Sequence, residues 1–232
     1  GTAMPNLAAA GAAKSIEFKT GDWTISQSGG SQTLTVATGN ITSAGGAGTT
    51  NTIEPEILIG GTVATFTVNG DTATHNLHLL AALNLPGKTV NKEGAGILTT
   101  AAITAGTVNH NGGTLNAASV TSTDFNVYSA AVVTGAVNVS GNTEIGTTGS
   151  LTAASHTGGS LGVYGSANYA AGSVSLTGAV AVGNGFDAAT LNAGTIIADS
   201  LTILDNGRVT TVGGKTRTSV LSSLVFGGTE EA

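Results

Sequence analysis

Apolar residues recur along this chain in pairs two positions apart with a polar or small residue between them: Ile16/Phe18, Leu34/Val36, Ile57/Ile59, Phe66/Val68, Leu77/Leu79, Val137/Val139, Leu161/Val163 and Val180/Val182. Period two places both members of a pair on one face of a strand and turns the residue between them, mostly Thr, Ser or Asn, to the other. Small-residue turns separate the pairs, among them Gly29-Gly30, Asn69-Gly70, Asn111-Gly112-Gly113, Gly158-Gly159 and Asn206-Gly207. The pattern predicts short strands from Ser15 onward, with no helical periodicity beyond residues 79–83.

The strands also repeat. Thr114-Leu115-Asn116-Ala117-Ala118-Ser119 is echoed by Ser150-Leu151-Thr152-Ala153-Ala154-Ser155 and by Thr190-Leu191-Asn192-Ala193-Gly194-Thr195. Leu115 and Leu151 lie 36 residues apart and Leu151 and Leu191 lie 40 apart, so a unit of about 18 to 20 residues recurs, as the coils of a solenoid do. The expected fold is all-β, a single elongated parallel β-helix (β-solenoid) of roughly ten coils over residues 14–226. Residues 1–13 are expected as an irregular leader or cap, and 227–232 as a tail. Leu115, Leu151 and Leu191 should point inward in one column. Asn-Gly and Gly-Gly turns also fit the hairpins of an antiparallel sandwich, but an aromatic content of 4% is too low to fill a sandwich core.

Composition narrows the function classes. Charged residues make up 9% of the 232 and apolar residues 40%, the reverse of a disordered chain. The net charge is −6, and the seven Lys and Arg are scattered, so neither nucleic acid nor an anionic membrane surface is an expected partner. The absence of Cys removes disulfides and thiolate metal sites. No apolar run approaches the roughly 20 residues that span a bilayer. The chain starts at Gly1 without an initiator Met, and is expected to be part of a longer protein.

Residues 14 to about 103 resemble the bacterial autotransporter-associated β-strand repeat, also known as the passenger-associated transport repeat. The likeness rests on Ala13-Lys14-Ser15-Ile16-Glu17-Phe18 with Trp23-Thr24-Ile25, on Thr65-Phe66-Thr67-Val68-Asn69-Gly70, and on Leu85 and Lys88 leading to Val90-Asn91-Lys92-Glu93-Gly94-Ala95-Gly96-Ile97-Leu98-Thr99. That last stretch is similar to the family's hallmark of an apolar residue, Lys, a Gly-x-Gly turn and an alternating Thr-Leu strand. Ile97-Leu98-Thr99-Thr100 departs from the strict alternation, and the family's following Asn-Thr-Tyr-Thr-Gly is absent. The resemblance implies a right-handed parallel β-helix of a secreted or outer-membrane-associated surface protein, with a role in passenger stability and transport and no catalytic residue.

Individual candidates are few. His75 and His78 are three apart, which on a strand puts them on opposite faces and off any shared metal, so His75→Ala is expected to be nearly silent. His110 and His156 adjoin glycine turns and are expected to be exposed. Asp199 and Asp205, with Arg208 nearby, are the weak candidates for the paired carboxylates of a polysaccharide-cleaving site, though Asn206-Gly207 marks a turn there. Glu54, Glu56 and Asp71 offer oxygen ligands of the kind Ca²⁺ takes, but no calcium-binding nonapeptide accompanies them. Tyr128, Tyr164 and Tyr169 are candidates for stacking on sugars, since a phenol ring joins apolar area to a polar rim. No cofactor is expected. The expected function is therefore a non-catalytic structural or adhesive module, with host or matrix glycans, host proteins or neighbouring surface proteins as partners; the alternative is a β-helix that binds or degrades polysaccharide.

Overall fold

The computed structural model describes residues 5–70, 74–169, 172–210 and 221–226. Over these residues the chain is all-β with no helix, a parallel β-solenoid of about ten turns; no helix is long and apolar enough to cross a membrane. It divides into two compact units, Gly1–Ala118 and Ser119–Ala232.

In the first unit, strands stack in ladders, each rung coming from the next coil of the chain. One ladder runs through Thr24–Gln27, Thr50–Ile53, Asn76–Leu79 and the start of Ile97–His110, and puts Ile25, Ile53, Leu79 and Thr100 in one column. A second joins Gly11–Ala13, Thr33–Val36 and Glu56–Ile59, stacking Ala13, Val36 and Ile59. A third passes through Ile16–Phe18, Asn40–Gly45, Val63–Gly70, Leu83–Glu93 and the end of Ile97–His110, and its central column is Ile16, Ile41, Phe66, Lys92 and His110. Alternation along each strand sends every second side chain inward. Thr33–Val36 and Asn76–Leu79 show it directly, with Leu34, Val36, Leu77 and Leu79 buried and the residues between them half-buried.

Within residues 1–13, expected as an irregular leader or cap, the described residues include two short strands. Asn6–Leu7 pairs with Ser26–Gln27, and Gly11–Ala13 pairs with Leu34–Val36. Even without an apolar pair, the small residues bring their backbone close enough to take up the next strand's free hydrogen-bonding groups. The tail at 227–232 lies outside the described residues.

In the second unit, Leu151 of Ser150–Val163, Ala167 of Ser166–Asn168 and Leu191 of Ala189–Asn192 occupy one inward column, all buried. Leu151 and Leu191, two of the three leucines of the sequence echo, thus stack two coils apart with an alanine between; Leu115, the third, is buried in the first unit. A second column runs Val137, His156, Val174 and Ile196. A third runs Val127, Ile145, Val163, Val182 and Ile203.

The described pairings within each unit are parallel, so the Asn-Gly turns round corners and close no hairpins. Asn206, at φ 62°, is one such corner. Coil length differs from the expected 18 to 20 residues in the first unit, where Ile16, Ile41 and Phe66 partner at intervals of 25. Long corners such as residues 19–23 and 46–49 account for the excess. In the second unit Ile145, Val163 and Val182 partner at intervals of 18 and 19.

Candidate functional site

Among the described residues, three clusters are built on ionisable and polar side chains that alternation sends inward, two of them in the first unit. His75 is fully buried. Its Nδ1 lies 3.1 Å from the Thr49 carbonyl, which can only accept, so Nδ1 carries the proton and Nε2 accepts the Ser43 hydroxyl at 2.8 Å. Asn51 donates to Ser43 Oγ at 3.0 Å and to the Thr20 carbonyl at 2.9 Å, and accepts the Trp23 amide at 2.9 Å. Burial holds the His75 pKa below its ordinary value, opposed by the Thr49 hydrogen bond and by Asp22. A serine hydroxyl donating to a neutral imidazole is the geometry that activates nucleophiles. Here both partners are sealed in the core and the serine oxygen already accepts from Asn51, so the pair knits coils together. With these partners left buried, His75→Ala is expected to destabilise the stack rather than to be nearly silent.

Lys92 is the second cluster. It stands inside the column between Phe66 and His110, 1% exposed, and its ammonium donates to three carbonyls: Glu93 at 3.0 Å, Gly94 at 2.9 Å and Gly112 at 2.7 Å. Gly94, at φ 78°, makes the tight turn that presents two of those carbonyls, a conformation that a Cβ would strain. Desolvation lowers the Lys92 pKa to about 8, with Glu93 opposing.

The third cluster overturns two expectations. His156 and Tyr169 are fully buried, so neither is an exposed turn residue or a sugar platform. The His156 ring lies 2.9 Å from the Tyr169 hydroxyl through Nδ1 and 3.2 Å from Thr143 Oγ1 through Nε2. Being neutral, the ring donates to one and accepts from the other. The two rings meet edge to face at 5.7 Å. Burial lowers the His156 pKa to about 4 and raises that of Tyr169. His110 is also buried, against expectation. His78 faces the other side of its strand from His75, as period two requires.

The weak catalytic candidates lie apart along the chain's path. Asp199 is exposed and precedes the stretch Ser200–Ile203, which pairs with Ala179–Val182; Asp205 follows that stretch, past the corner at Leu204. Arg208 is exposed on Gly207–Thr210, beyond the Asn206 turn. Glu54 and Glu56 line a groove of about 510 Å³ with Gln27 and Asn84, and Glu54 accepts the Gln27 amide at 3.1 Å. Asp71 lies outside the described residues, and among those described no three His, Asp or Glu side chains gather around one point.

Tyr128 and Tyr164 share a corner of the second unit. Tyr128 follows Val127 and Tyr164 follows Val163, each the last residue of a strand in one inward column, and Gly146, after Ile145, occupies the rung between them. A Cβ at Gly146 would stand 2.5 Å from Tyr128 Cδ1, so the missing side chain is the space the Tyr128 ring fills. Tyr164 likewise lies over Gly162. Glu144 accepts the Tyr128 hydroxyl at 3.1 Å; burial and this carboxylate both raise the Tyr128 pKa. With Thr147, Thr148 and Asn184 these residues line an open groove of about 360 Å³. Next to it Asn184 Oδ1 accepts the amides of Phe186 and Asp187, each at 2.9 Å, and holds Phe186 out at 86% exposure. The sequence reading missed Phe186 and Glu144. No periodic signal points to either; the spacing of 18 among positions 128, 146 and 164 brings only Tyr128 and Tyr164 to one corner.

No protein-family model, curated protein or solved structure matches this chain.

Proposed function

We propose that this chain is a non-catalytic structural and adhesive module of a bacterial secreted or cell-surface protein, of the autotransporter-passenger kind. The observation that carries the proposal is that its polar side chains hydrogen-bond from rung to rung on the outside as they do inside. Asn109 donates to Asn91 at 2.9 Å, Asn192 to Asn168 at 3.2 Å, Thr99 to Asn76 at 3.0 Å and Thr157 to Asn138 at 2.6 Å. Ladders of this kind stabilise a stack and leave a polar, nearly uncharged surface suited to display. The turn expected from the repeat resemblance, Gly94-Ala95-Gly96, folds around the Lys92 ammonium, which makes it an architectural element.

The test is incubation of the purified chain with a panel of neutral and acidic polysaccharides. No new reducing ends or unsaturated products are expected. Their release, abolished by Asp199→Asn or Asp205→Asn, would replace this reading with that of a polysaccharide-cleaving enzyme.

A further inference from the structure

We infer that the corner groove of the second unit binds a neutral polysaccharide, with Tyr128 and Tyr164 as platforms for neighbouring sugars and Phe186 as a third apolar contact. The inference deepens the adhesive reading and rests on it. Three features of the groove select this ligand.

The first is spacing. The Tyr128 ring lies over Gly146 and the Tyr164 ring over Gly162, on neighbouring rungs of the stack, and neighbouring rungs are about 4.8 Å apart. Successive sugars of an extended chain present their faces on that same length scale. The glycines beneath leave the two rings as the flat surface of the corner.

The second is the chemistry at the rims. Tyr164 makes no hydrogen bond through its hydroxyl to the described residues. Glu144 is half-buried and uses one carboxylate oxygen on Tyr128, and Thr147 and Thr148 are exposed. Sugar hydroxyls need such a mixture of donors and acceptors around an apolar face.

The third is charge. The carboxylate at the centre of the groove, on a chain of net charge −6, repels uronic-acid polymers and so excludes acidic glycans. A quaternary ammonium would need rings walling it in, whereas these rings lie over glycine positions on the sheet.

Isothermal titration of the whole chain with cellohexaose, a hexagalacturonate and tetramethylammonium tests the inference. Cellohexaose is expected to bind, and to weaken by about tenfold in Tyr128→Ala and again in Tyr164→Ala, with urea melts showing that each variant is folded. Tyr164→Phe keeps the ring and should bind nearly as the parent does. Absence of cellohexaose binding at millimolar concentration, equal binding by the double variant, or tighter binding of the polyanion or the ammonium would each overturn the inference. None of these outcomes bears on whether the chain turns polysaccharide over, so the modular reading stands or falls separately.

Discussion

Lys92 and His156 face inward, and burial decides which protonation state each holds. A His156 ring that titrates at 6.5 in the unfolded chain and at about 4 in the fold leaves the unfolded chain holding more protons between those values, so stability rises with pH across that window. The stabilisation is complete above about pH 6.5 and falls by about 3 kcal/mol on acidification to pH 4. Lys92 acts at the other end. Its pKa drops from 10.5 to about 8 on folding, so the folded chain sheds its proton first and stability should climb by about 3 kcal/mol between pH 8 and 10.5. Urea melts from pH 4 to 10.5 should show both slopes, the first missing in His156→Leu and the second missing in Lys92→Met. Slopes that persist in those variants would mean that other groups carry them.

At the scale of the strand, the column Leu151, Ala167, Leu191 alternates large and small, so each leucine fills space its alanine neighbour leaves. Leu151→Ala should cost about 2 to 5 kcal/mol by transfer and cavity terms, and Ala167→Leu about 1 to 3 kcal/mol by overpacking. A loss below about 1 kcal/mol for Leu151→Ala would show that the column is not packed. This element was legible because Leu-x-Ala repeats at a coil's distance and period two fixes which side faces in. Other parts were hidden by treating polar residues as outward. Lys92 follows Val90 by two and Tyr169 follows Ala167 by two, so both lie on the inner side despite their polarity. His156 was harder, since Leu151 and Ala153 point to residue 155 as the next inward position. A register shift between Val133 and Ala136 of the paired strand moves the phase by one. The wide coils of the first unit were not legible, because their extra length sits in corners that carry no periodicity.

At the scale of the molecule, cohesion comes from rungs packed on rungs. Among the described residues the carboxylates and imidazoles do not gather into a ligand set, so EDTA is expected to leave Tm unchanged, and a fall of many degrees would point to a structural cation. The outside also divides into faces held in register and corners that are not. From Val163 to Val182 and from Val182 to Ile203 the partners stay aligned although the intervals are 19 and 21 residues, the difference being taken up by residues 183–188 and their like, where Gly183 and Gly185 adopt φ of 95° and 84°. Length at a corner is therefore decoupled from register in the stack. Evolution can lengthen, shorten or rewrite the Phe186 loop without renegotiating the interior, and so the protein can change what it touches while keeping how it stands.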